Sequence, residues 1–150
     1  MALAILLHML AAVIWVGGMF FAYIALRPAA SLLEPAIRLS LWAQVFQRFF
    51  PWVWAAILVL LTTGLWAIFS VFGGMAEIGL HIHLMLTLGL VMILLFMHLF
   101  FSPYQQLKHG VAEQHWELAA TALNKIRRLI AINLSLGLIV TSIAAAGRWI

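Results

Sequence analysis

The chain has 150 residues, of which 67% are hydrophobic and 8% charged, with a mean hydropathy of +1.15. A soluble domain carries roughly 25% charged residues, so a water-soluble fold is excluded and lipid must cover the apolar surface of a single all-α transmembrane bundle. The absence of cysteine rules out disulfides, thiolate metal sites and cysteine nucleophiles, and a formal charge of +4 spread over separated loops makes no nucleic-acid patch.

Four stretches reach the roughly 20 apolar residues needed to cross a bilayer, and each must be helical because lipid offers its backbone no partner. The first runs from Leu3 to Leu26. It starts without a cation and has no small-residue cleavage pattern, which predicts a retained span rather than a signal peptide. It carries His8, Met9, Trp15, Gly17 and Gly18. The loop that follows holds Arg27, Arg38 and Arg48, and over 36–50 the apolar residues Leu39, Trp42, Val45, Phe46 and Phe49 gather on one helical face. This predicts an amphipathic helix lying on the membrane surface, with an inward extension of the second span as the alternative.

The second span is expected over Pro51–Phe72 and the third over Ile78–Phe101, joined by a short turn that contains Glu77 and no cation. The third carries His81, His83, Met85 and His98. A polar helix near Val111–Lys125, whose Glu113, His115 and Glu117 read as a solvated face, is expected to run into a fourth span over Leu129–Ala146. Lys108, Lys125, Arg127 and Arg128 lie between the third and fourth spans, and Arg148 alone lies at the other end. That asymmetry puts both long loops in the cytoplasm and both termini outside.

Ionisable side chains within spans usually mark function, and here nearly all are histidine. His8 is 18 residues from Leu26 and His83 is 18 from Phe101, which at 1.5 Å per residue sets both about 27 Å from the cytoplasmic face. Two imidazoles at one depth can hold a haem iron between them, as facing helices of a bundle do. His81 is about 200° around the helix from His83, whereas His83, Thr87, Leu90, Leu94 and His98 form one stripe within about 80°. That places His83 as the ligand, with His81 a neighbour and His98 too deep to share the site. Trp15 and Gly18 would flank the flat ring, and Arg148 would meet its propionates. The same end also offers Met1, Met9, Met75 and Met85, and thioethers combined with imidazoles suit Cu(I).

The opening Leu-Leu-His8-Met-Leu-Ala-Ala-Val-Ile-Trp15-Val-Gly-Gly, with Arg27-Pro28, Phe49-Phe-Pro51-Trp, His81-Ile-His83, Ile126-Arg-Arg128, Asn133 and Gly147-Arg148, resembles CopD-type bacterial membrane proteins. It is distantly similar to HemJ, a haem-binding membrane oxidase, through His8, Trp15 and Gly18. The resemblance implies a haem or copper protein of the bacterial inner membrane. The resulting expectation is a redox-active haem b protein with a His8–His83 site near the outer face, engaged in electron transfer or oxidoreduction with a quinone or periplasmic redox partner. CopD-type copper binding or transport is the alternative.

Overall fold

The computed structural model describes residues 1–147, and among these it contains helices and turns without a strand. Four helical stretches are long and apolar enough to cross a membrane, Ala2–Ala30, Pro35–Ser70, Leu80–Ala112 and Trp116–Ala146. All four expected spans are present, and every one is longer than its apolar core.

The first stretch is helix α1 (Ala2–Phe20), a wider π-helical turn over Phe21–Leu26, and the short α2 (Arg27–Ala30). Pro28 has no N–H to continue the ordinary ladder, and Arg27 N–H bonds instead to the Ala22 carbonyl five residues back. Helix α3 (Pro35–Ser70) corrects the surface-helix expectation, since residues 36–50 are its first turns and not a separate element. Its buried face runs unbroken from Leu39 through Trp42, Phe46 and Phe50 to Val53, Ala56 and Ile57. Trp42, Phe46 and Phe50 follow one another at helical spacing, with ring centroids 5.2 and 5.0 Å apart. The helix continues through Pro51, whose missing N–H removes one bond from its backbone ladder.

The turn after α3 needs left-handed backbone at Gly73 (φ 85°) and Gly74 (φ 121°), a conformation other residues resist. Helix α4 (Leu80–Phe101) stops at Ser102, and Pro103 opens α5 (Pro103–Ala112), a helix the sequence pattern did not separate. After a break at Glu113–His115, α6 (Trp116–Ala146) carries the polar segment into the fourth span as one helix, starting five residues later than the pattern indicated.

α1 packs mainly on α3, and α4 mainly on α6. The two pairs meet through aromatic rings at the end that holds the long loops. Phe96 lies edge-on to Trp15, Phe50 and Trp54 at 6.2, 5.3 and 5.3 Å, and Tyr104 closes on Phe50 at 4.8 Å. Each such pair adds about 0.5–1.5 kcal/mol beyond its burial. Towards the opposite end burial thins out. On α1 the buried residues begin only at Ala11, and on α4 only at Met92.

Candidate metal-binding end of the bundle

His8 is half-buried in the seam between α1 and α3. Its Nδ1 lies 2.7 Å from Thr63 Oγ1, and a methyl built on Gly64 would stand 3.5 Å from its Cε1, so the ring rides over that glycine. The Thr63 hydroxyl donates its own proton to the Val59 carbonyl one turn back. The contact anchors the His8 ring to α3 through Nδ1. A ring fixed through one nitrogen can present the other to a metal, as metal-ligating histidines do.

The third span presents two faces. Met92, Phe96 and Leu99 are buried, while Thr87, Leu90, Leu94 and His98 are exposed on the lipid side. His81 and Met85 fall within about 60° of the buried face, and His83 belongs to the exposed stripe. The stripe chosen from periodicity as the inward one therefore points outward, because burial follows the aromatic contacts of Phe96 and not the histidines. The His81 ring is packed at 3.0 Å from a methyl built on Gly147, at the far end of α6, and folds back over Gly79 at the same distance. His83 is half-buried, with Nδ1 3.3 Å from the Gly79 carbonyl of its own first turn. No signal in the sequence separated these two faces, since both carry a histidine at the outer end and apolar residues below it.

The other residues expected at the site have different roles. Trp15 is 3% exposed and sealed in the core against Phe96. The space a side chain would take at Gly18 is filled by the Phe49 ring, so this glycine admits α3 and leaves no slot for a flat cofactor. Met9 is 63% exposed on the outside of the bundle, whereas Met85 is half-buried. His98 is exposed, and Arg148 lies outside the described residues. Among the described residues, no group of three or more His, Asp or Glu side chains is gathered in metal-holding geometry. Trp15 and Gly18, expected to flank a flat ring, thus serve helix packing.

Missed by the sequence reading was Thr63, whose signal was a lone hydroxyl pair, Thr62-Thr63, within an apolar helix. Asn133 is 3% exposed and donates from Nδ2 to the Met92 carbonyl at 3.3 Å, tying α6 to α4 at mid-depth.

A four-span bundle with half-buried imidazoles at one end defines a multi-pass membrane protein equipped with metal-donor side chains. A family model described as CopD, copper resistance protein D, matches residues 43–146, and the chain belongs to that family. The match starts inside α3, so α1 with His8 and Trp15 precedes it. No curated protein matches the chain, and no solved structure does.

Proposed function

We propose that this chain binds copper as Cu(I) at the histidine end of the bundle, in the role of a copper-handling protein of the bacterial inner membrane. The observation that carries the reading is the His8–Thr63 hydrogen bond, which fixes the His8 ring inside a span through Nδ1 and makes Nε2 the atom available to a metal. His81 and Met85, one turn apart on the bundle-facing side of α4, supply a second imidazole and a thioether, donors that suit Cu(I). Copper is here the cargo, and its affinity rests on soft and borderline donors.

The family supports copper over haem. The cation distribution supports an outward-facing site, with Arg27, Arg38, Arg48, Lys108, Lys125, Arg127 and Arg128 on the cytoplasmic side and both termini outside. The test is competition for Cu(I) between the detergent-solubilised chain and a chromogenic chelator, under reducing conditions. His8→Ala and His81→Ala are each expected to weaken binding at least about tenfold, the loss typical for a removed ligand, while His98→Ala leaves it unchanged. A chain that purifies with a Soret band and gives no copper competition would refute the reading.

A further inference from the structure

The opposite end of the bundle holds a recess of about 10 Å³ lined by Ala22, Tyr23, Arg27, Trp42, Arg127 and Ile130, among other residues. Two of its lining side chains have buried donors without an acceptor, the indole Nε1–H of Trp42 and the guanidinium Nε–H of Arg127. Trp42 is 2% exposed, so its N–H has no route to water on its own. An unpaired buried donor costs about 1–3 kcal/mol, and two at one recess amount to an incomplete site.

Charge points the same way. Arg27 and Arg127 line the recess, and the charges of Arg27 and Arg38 both act on Arg127. The guanidinium groups of Arg27 and Arg127 are steered by the Tyr23 and Trp42 rings, at 4.9 and 5.9 Å from the centroids. The chain's four carboxylates, Glu34, Glu77, Glu113 and Glu117, are all exposed and none lines the recess. Three cations, two unpaired buried donors and no carboxylate in the lining suit an anion with several acceptor oxygens.

We infer that this recess receives one phosphate oxygen of an anionic phospholipid headgroup, the remaining oxygens lying against Arg27, Arg38 and Arg127. The volume suits a single oxygen-sized group, close to that of one water, so the phosphodiester is seated by one corner and the rest of the headgroup stays outside. Phe21 and Ile24, on the turn that leads into Arg27, are exposed to lipid and offer a surface for the acyl chains. Arginine suits this partner because its planar donors pair with phosphate oxygens two at a time. Basic pockets between spans on the cytoplasmic side hold such headgroups in general.

The test is native mass spectrometry of the full chain released from mixed micelles of phosphatidylglycerol and phosphatidylcholine in equal amounts. One retained phosphatidylglycerol per chain is expected. Arg127→Gln and the double change Arg27→Gln with Arg38→Gln should each lower its retention about fivefold or more, as the loss of a cation at a charged membrane surface implies, and Trp42→Phe should lower it about as much by removing one of the buried donors. The double change touches no core residue, so it remains informative if either single variant folds poorly, and circular dichroism reports that directly. Arg48→Gln, an exposed arginine away from the recess, should retain the lipid fully. Retention unaffected by any of these changes, or phosphatidylcholine held as well as phosphatidylglycerol, would overturn the inference. So would thermal stabilisation by millimolar inorganic phosphate with no phosphatidylglycerol retained, which would make the ligand a free anion.

Discussion

Thr63 anchors the ring of His8, 55 positions away in sequence, through a single hydrogen bond. Thr63→Val keeps the branched shape and removes the hydroxyl, so His8 is free to rotate. Cu(I) affinity in chelator competition should fall about 10-fold or more, as loss of an outer partner of a metal ligand generally does, with the helical circular dichroism unchanged. Thr62→Val serves as the control, since Thr62 bonds only to its own helix at the Leu58 and Val59 carbonyls. Gly18 makes an independent point about packing. A methyl there would overlap the Phe49 ring, and because overpacking costs about 1–3 kcal/mol, Gly18→Ala should lower the detergent melting temperature. Phe49→Leu in the same chain should recover part of the loss.

At the scale of elements, α3 is the organising helix, because its ladder of Trp42, Phe46 and Phe50 meets rings from α4 and α5. Phe50→Ala would leave a cavity among Phe46, Phe96, Phe100 and Tyr104, at a cost of about 3–5 kcal/mol. Phe69→Ala, at an exposed position on the same helix, should be close to neutral in the same thermal melt. The four spans were legible in the sequence because hydropathy over about 20 residues is a strong signal that neighbours do not alter. The continuity of 36–50 with the second span was not, since a surface helix and an extended span bury the same apolar face, and only the contacts of Phe46 and Phe50 with Tyr104 choose between them. For the site, the sequence marks His8, His81, His83 and Met85 as donors within the spans, but helical periodicity alone does not fix which face of α4 packs inward: Phe96 and Met92 set that side, with His81 and Met85 on it and His83 opposite.

Across the whole molecule, packing is uneven from end to end. Rings crowd the loop-bearing end, while the histidine end has few buried residues, so local opening should be easiest there. Hydrogen–deuterium exchange of the chain in lipid nanodiscs is expected to label 2–10 of α1 and 80–88 of α4 before 42–54 of α3 and 92–101 of α4. Added Cu(I) should slow the first group selectively, because a ligand that bridges α1 and α4 stabilises the state it binds. Uniform exchange along the four helices would contradict both the gradient and the location of the site.

The ring cluster around Phe96 also governs what an ion can do after it arrives. Trp15, Phe50, Trp54, Phe96, Phe100 and Tyr104 form an aromatic floor between His8 and His81 on one side and the loop-bearing end on the other, with no polar side-chain atom among these six beyond the tyrosine hydroxyl and the two indole N–H groups. A cation that enters from above finds a vessel and not a conduit, for stepping through that floor would strip it of donors over several ångströms of hydrocarbon. The lone chain in proteoliposomes should therefore load copper at its histidine end and deliver none to the lumen.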